Sequence, residues 1–255
     1  MQSQLMDYVE ISDAVDMPGL RLVLTTGLPG PWGEAAKAIL GVKKIAYTPV
    51  RQPPEGEREP LLAWTHQLAA PVAMYEAERP RSGWAEILFL AERLAPEPRL
   101  VPIDPRDRAL LLGLCFEICG EQGLGWNRRL GLLPPGPSPE TDSMPWRYGL
   151  AEENVVAGAA ARVNEVLALL AAQLRAERDA GRRFFVGGAL SALDLYWAAF
   201  SNLLAPLAPE KCPMPDWLRP LYDASGKPEI DAPAPLLLEH RDRIFEEHIG
   251  LPLDF

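Results

Sequence analysis

The segment LTTGLPGPWGEAAKAILG, residues 24–41, has the pattern of a strand, a turn and a helix, and its centre lacks Cys, Ser, His and Lys. Gly27, Gly30 and Gly33 are three residues apart, unlike the G-x-G-x-x-G of a dinucleotide site. Lys37 lacks the neighbouring Gly and Ser/Thr of a P-loop. Without a thiol, the segment cannot be a thioredoxin redox motif. Its remaining chemistry is anion binding by backbone N–H groups at the helix N-terminus.

A second group of residues suited to ligand binding lies further along the chain. Trp126, Arg128 and Arg129 form a polar-aromatic cluster within residues 114–133. Guanidinium groups bind carboxylates through paired hydrogen bonds and stack on aromatic rings, so the cluster suits an acidic or aromatic ligand. A structural alternative is that both arginines pair with nearby acidic residues.

The three cysteines do not indicate a disulfide framework. Cys115, Cys119 and Cys212 are too few for one, and no C-x-x-C is present. Cys115 and Cys119 are four residues apart in an apolar stretch and would share one helical face. We interpret them as core residues, because a metal site would lack its other ligands. No metal is predicted.

The overall charge excludes two classes of partner. With 25 basic and 35 acidic residues, the net charge is -10, and no Lys/Arg cluster reverses it locally. Nucleic acid and anionic membrane surfaces are therefore not expected to bind. The first twenty residues do not resemble a signal peptide, and no later run has the length of a membrane helix. We expect a cytoplasmic protein.

Strands and helices alternate in the part of the chain that contains the segment at residues 24–41. Pro31 suits the first position of its helix, and Gly41 is expected just past the end of that helix. Pro49 cannot donate to a ladder, so its strand should lie at a sheet edge. Ser82 is the expected N-cap of a later amphipathic helix. The predicted strands cover residues 21–25, 45–50 and 70–76, and the later helix covers 82–94.

The second half of the chain has only helical patterns. Asp104 is the expected N-cap of a helix with Pro105 at its first position. Ser191 and Asp194 have the spacing of a capping box. Residues 133–149 are rich in Pro, Gly and Ser and are either a surface connection or the cover of an active site. Further helices are expected at about residues 152–178 and 235–247.

A small sheet domain whose third strand begins at a proline, followed by a helical domain, resembles the glutathione transferase superfamily. The best match is FFVGGALSALDLYWAAF, residues 184–200, which is similar to the capping motif of that family, with Leu193 in place of the usual alanine. The resemblance implies a thioredoxin-like α/β domain followed by an all-α domain. The expected boundaries are an extension at 1–19, the thioredoxin-like domain at 20–98 and the helical domain at 103–250.

The resemblance also implies where glutathione would bind. Ala70-Pro71 stands in the place of the family's Val-Pro, which implies a cis Pro71 and a backbone pairing between Ala70 and the cysteinyl part of glutathione. Ser82 and Gly83 align on the family's acid-serine pair, which holds the γ-glutamyl carboxylate. The acid is absent here. A plain N-cap role for Ser82 remains the alternative.

Other contacts follow from the same alignment. His66 and Gln67 precede the proline, in a loop that contacts the glycine end of glutathione in the family, although a lone loop histidine is often only a surface residue. Trp32 follows Pro31 where the family often has an aromatic residue, and it would line a ligand pocket or pack between domains.

The catalytic position departs from the family pattern. Gly30 occupies the place of the thiol-activating Ser or Cys, and only Thr25 and Thr26 carry hydroxyls near the strand end, so Thr26 is the candidate catalytic residue. Two functions stay open: an enzyme that conjugates, reduces or isomerises an electrophile with glutathione, and a non-catalytic binding or interaction module on the same fold. The resemblance to this family also implies a homodimer.

Overall fold

The computed structural model describes residues 6–53, 58–132, 156 and 158–255. The segment at 133–149, for which a connection or a cover was predicted, lies outside the described residues. Contacts divide the chain into two compact units. The first comprises Met1–Leu100, Leu207–Asp216 and Phe245–Phe255, and the second comprises Val101–Pro206 and Trp217–Ile244.

The first unit is built on a three-stranded mixed sheet of order β2-β1-β3. Strand β1 pairs parallel with β2 and antiparallel with β3. Strand β2 lies at an edge, as Pro49 predicted, but it begins three residues later than expected. The elements of this unit are α1 (Ile11–Ala14), β1 (Leu20–Thr25), α2 (Pro31–Val42), β2 (Thr48–Gln52), α3 (Glu59–Thr65), β3 (Val72–Tyr75), α4 (Trp84–Leu94) and a π-helical turn (Phe245–Ile249).

Helix α2 begins where the sequence predicts and ends later. Pro31 is its first residue, after Gly30 as N-cap. The expectation that Gly41 follows the helix is wrong, because the helix continues to Val42 and Lys43 is the C-cap. The Lys43 side chain is buried and forms an ion pair of 2.6 Å with Glu92 of α4, which fixes the helix end by a tertiary contact.

One face of the sheet is covered by α1 and α3, which the sequence analysis did not predict. Both helices are short, and each contributes apolar residues to a core against the strands. The buried members of this core are Ile11, Ala14, Val23, Val50, Leu61, Val72 and Met74, with Val9, Trp64 and Ala70 packed against them.

The second unit is helical in its described part, so the predicted fold class is confirmed for both units. Asp104 accepts the N–H groups of Arg106 and Asp107, as expected of an N-cap. Ser191 is the N-cap of its helix and Asp194, three residues on, accepts the Ser191 N–H at 2.8 Å, as expected of the predicted capping box. The described helices are α5 (Pro105–Cys119), α6 (Leu124–Leu130), α7 (Ala159–Asp179), α8 (Ala192–Ser201), α9 (Arg219–Tyr222) and α10 (Pro235–Ile244).

The cysteines are buried and free, in agreement with their interpretation as core residues. Burial raises the pKa of the Cys115 and Cys119 thiols well above the usual value, which makes them poor nucleophiles. In the part of the chain that the structure describes, no three His, Cys, Asp or Glu side chains gather as metal ligands. Each helix that the structure describes is either too short or too polar to span a bilayer.

Candidate functional site

Two of the predicted segments meet at one edge of the sheet in the first unit. Val23 of β1 lies opposite Val72 of β3 in an antiparallel pair. The end of β1 and the start of β3 therefore lie side by side. This arrangement places the loop that begins at Thr26 next to Ala70 and Pro71, which precede β3. The Ala70–Pro71 peptide bond is cis.

The start of α4 is brought to the same edge by an isolated bridge. Ala73 and Arg81 exchange two backbone hydrogen bonds of 2.8 and 3.0 Å, so Ser82 lies beside the start of β3. The Ser82 hydroxyl donates to Gln67 Oε1 at 2.9 Å. Two residues that are fifteen positions apart, and that were both predicted as ligand contacts, are thereby joined directly.

The expected capping role of Ser82 is corrected by the structure. Helix α4 begins at Trp84, and Gly83 is its N-cap. The Glu86 carboxylate accepts the Gly83 N–H at 3.1 Å, which is half of a capping box. The Ser82 hydroxyl is directed to Gln67 and lies one residue before the cap.

The first loop is shaped by its glycines and by β2. The Thr26 N–H donates to the Gln52 carbonyl at 3.2 Å, which extends the parallel ladder past the end of β1. Gly27 then adopts a φ of 73°, a left-handed conformation that favours glycine. Among the described residues, the half-buried Thr26 hydroxyl has no hydrogen-bond partner. Trp32 is the second residue of α2 and is half-buried.

The structure places His66 differently from its neighbour Gln67. His66 is exposed, ends α3 in a left-handed conformation with a φ of 55°, and donates its N–H to the Leu62 carbonyl. Its imidazole has no hydrogen bond within the described part of the chain. Gln67 is held by Ser82 through its side chain and by the Thr65 hydroxyl through its N–H.

A titratable group that the sequence analysis missed lies on α2. Glu34 is only 8% exposed, and Lys37 approaches its carboxylate to 2.9 Å. Burial raises the pKa of Glu34 to about 7, although Lys37 partly opposes the shift. Helical spacing in the sequence could have indicated that Glu34 is buried. It lies one turn after Pro31 and one turn before Ala38, on the buried face of the helix.

In the second unit, the predicted ligand contact Arg128 has a structural role instead. The side chain is 1% exposed, and its guanidinium donates to the carbonyls of Leu203 at 2.8 Å and Leu221 at 2.7 Å. Burial lowers its pKa. For Arg128, the alternative of pairing with acidic residues is not what the structure shows, because its hydrogen-bond partners are backbone carbonyls. Trp126 and Arg129, on the same helix, are half-buried.

Comparison with solved structures identifies the architecture. A tau class glutathione S-transferase from mango (Mangifera indica) matches with a TM-score of 0.61 at 19% identity, covering 92% of this chain and 94% of that chain. A glutathione S-transferase from Methylobacterium radiotolerans, in complex with glutathione sulfonate, matches with a TM-score of 0.57 at 20% identity over 92% and 97% of the two chains. A third, from Methylobacillus flagellatus with bound glutathione, has a TM-score of 0.61 at 13% identity over 89% and 95%.

Sequence comparison alone gives no such result: no protein-family model matches the chain, and no curated protein is similar enough in sequence to match. The structural matches span nearly the whole chain and include both the mixed sheet and the helices. The chain therefore has the fold of the glutathione S-transferases.

Proposed function

We propose that the chain binds glutathione, or a similar small acid, at the sheet edge formed by the start of β3 and the start of α4. The observation that carries this proposal is the 2.9 Å hydrogen bond between Ser82 and Gln67, next to Pro71. It holds two side chains with polar groups beside an extended segment and a helix N-terminus. This combination suits a peptide that carries a carboxylate.

Each part of the tripeptide has a proposed contact. The backbone of Ala70 pairs with the cysteinyl residue, and the Ser82 hydroxyl turns from Gln67 to the γ-glutamyl carboxylate. Because the Gly83 N–H already donates to Glu86, the later N–H groups of the first turn of α4 supply the remaining bonds. His66, which is exposed beside Gln67, contacts the glycine end.

The proposed chemistry is conjugation, reduction or isomerisation of an electrophilic small molecule. The Thr26 hydroxyl, which has no partner among the described residues, donates to the sulfur and favours the thiolate. The positive end of the α2 dipole acts in the same direction. In the first unit, Trp32 contributes apolar surface for a ligand beside the start of α2. Within the second unit, Trp126 and Arg129 are proposed as separate ligand contacts. The resemblance to the glutathione transferases also leads us to propose a homodimer, which light scattering tests. A cytoplasmic location is proposed from the sequence.

Titration calorimetry with glutathione tests the binding. We expect binding at millimolar concentration or below, and weaker binding in Ser82→Ala and Gln67→Leu. Ser225→Ala, which alters an exposed serine of the second unit, is the matched control and should bind like the wild type. Absence of measurable binding to the wild-type protein contradicts the proposal.

Conjugation to an aryl halide separates the enzyme from a non-catalytic module. Thr26→Val should lower the rate without weakening glutathione binding, whereas Thr25→Val, which alters the neighbouring hydroxyl, should leave the rate unchanged. Tight glutathione binding together with no rate on any electrophile would identify the protein as the module.

A further inference from the structure

A buried arginine lies at the opposite end of β1 from the proposed glutathione site. Arg21 is 3% exposed and lies directly opposite Met74 of β3, on the sheet face that α1 and α3 cover. Thr25 lies four positions further along the strand, which at about 3.3 Å per residue corresponds to roughly 13 Å. The two positions therefore belong to separate regions of the first unit.

The charge of Arg21 has no counterion among the described residues. Its guanidinium donates to the carbonyls of Met17 and Glu76, the latter at 2.7 Å, and lies 5.7 Å from the centre of the Trp64 ring. Its Nε–H is buried and has no acceptor in the same part of the chain. Buried charges in proteins are normally paired, because an uncompensated one is costly.

Arg21 lines a cavity of about 470 Å³ in the first unit. This volume lies within the range of small-molecule sites. Apolar side chains form much of the wall, including Met17, Trp64 and Met74. A guanidinium that lies over an indole at such a wall is an arrangement that binds a carboxylate whose body is apolar.

Acidic residues at the same cavity limit the charge that can bind there. Asp16, Glu76 and Glu78 all line it. Glu76 accepts the Gly19 N–H at 3.1 Å, and Arg93 and Arg81 hold the pKa of Glu78 below its usual value. Asp16 is exposed and has no partner among the described residues. These carboxylates repel a phosphate or a dicarboxylate more strongly than a monocarboxylate, whose single charge Arg21 can offset.

We propose that this cavity is a second ligand site, which binds a small monocarboxylate with an apolar body. The carboxylate supplies the missing counterion of Arg21 and an acceptor for its Nε–H, and the apolar body lies against Trp64 and Met74. Because the Nε–H is enclosed, a wall side chain moves to admit the ligand. Methionine, with three rotatable bonds, does so at little cost.

The probe for this site is 3-phenylpropanoate, with its neutral amide, 3-phenylpropanamide, as the matched control. Calorimetry on the wild-type protein should show that the acid binds on the order of tenfold or more tightly than the amide, since only the acid forms charge-assisted bonds. Equal binding of acid and amide, or no binding of the acid, overturns the proposal. This comparison needs no variant and so does not depend on whether a variant folds.

Substitutions in the protein test whether the probe binds at Arg21. Arg21→Met should abolish the preference for the acid, while Arg51→Met, which alters an exposed arginine of β2, should keep it. Asp16→Asn should tighten binding several-fold by removing a like charge, and it leaves the buried core intact. Saturating glutathione should not change the affinity for the probe. The proposal is contradicted if glutathione displaces the probe. It is also contradicted if Arg21→Met keeps the preference for the acid, or if Asp16→Asn leaves the affinity for the acid unchanged.

Discussion

The buried carboxylate of Asp194 gives the sharpest prediction for the helical unit. Asp194 is 0% exposed and accepts four hydrogen bonds. They come from the Phe185 N–H at 3.1 Å, the Ser191 N–H at 2.8 Å, the Ser191 hydroxyl at 2.6 Å and His240 Nε2 at 2.8 Å. Arg243 donates to the other ring nitrogen of His240 at 2.9 Å, so the ring proton lies on Nε2.

The substitution Asp194→Ala removes the acceptor for all four donors at once. Each buried donor left without an acceptor costs about 1 to 3 kcal/mol, and breaking a buried charged network costs about 3 to 5 kcal/mol. Because neighbours relax and the donors share one carboxylate, these values do not add. We expect a loss of about 4 kcal/mol in the free energy of unfolding. Asp194→Asn, which keeps the shape and one acceptor oxygen, should lose roughly half as much.

Urea unfolding followed by circular dichroism measures this loss. The matched control is Asp242→Ala, because the Asp242 side chain is 45% exposed and accepts from Arg241 at 2.7 Å. Asp242→Ala should lower the free energy of unfolding by about 1 kcal/mol or less. If Asp194→Ala destabilises the protein no more than Asp242→Ala does, the carboxylate is not the centre of this network and the reasoning is refuted.

Two further predictions concern other buried charged groups. The pKa of Glu34 is raised from 4.5 to about 7, so the folded chain binds this proton more tightly than the unfolded chain and loses stability as the pH rises through that range. One pKa unit corresponds to about 1.4 kcal/mol, so Glu34→Gln should be more stable than the wild type by up to roughly 3 kcal/mol at pH 8 and equally stable at pH 4. Urea unfolding at both pH values tests this expectation. A stability difference that does not change with pH would contradict it. Arg128→Met should lower the free energy of unfolding by roughly 2 to 4 kcal/mol, because the carbonyls of Leu203 and Leu221 lose their donor; an unchanged urea midpoint would show that the guanidinium does not hold these segments.

Local signals in the sequence were sufficient for much of the helical unit. Asp104 and the Ser191–Asp194 pair cap their helices through neighbours two or three residues away, so spacing alone predicts the contacts. Pro31 likewise defines the start of α2. These features depend on the backbone nearby and hardly on the rest of the fold.

Contacts between distant residues explain the elements that the sequence did not predict. The polar residues Arg51 and Gln52 belong to β2 because they pair with β1, and Val9 bonds to the outer side of the same strand. The apolar stretch from Ile45 to Tyr47 therefore precedes β2. Helices α1 and α3 have only four and seven residues and are stabilised by packing on the sheet, so their own patterns are too short to detect.

The candidate site was predicted in part. The resemblance selected Ala70, Pro71 and Ser82. The antiparallel pairing of β3 with β1 places Ala70 and Pro71 beside the end of β1, and the bridge between Ala73 and Arg81 places Ser82 beside the start of β3. The hydrogen bond between Ser82 and Gln67 could not be derived from spacing, because it depends on how the loop before Pro71 folds back. Arg128 could not be recognised as buried, since an arginine within a short helix is usually on the surface.

A crystal structure of the protein grown with glutathione tests the central claim most directly. We predict that the tripeptide lies along the start of β3, with its cysteinyl backbone paired to Ala70 and its γ-glutamyl carboxylate bound by the Ser82 hydroxyl and the first turn of α4. The bond between Ser82 and Gln67 should open in that complex. Glutathione bound elsewhere on the protein, or no glutathione at saturating concentration, would contradict the account.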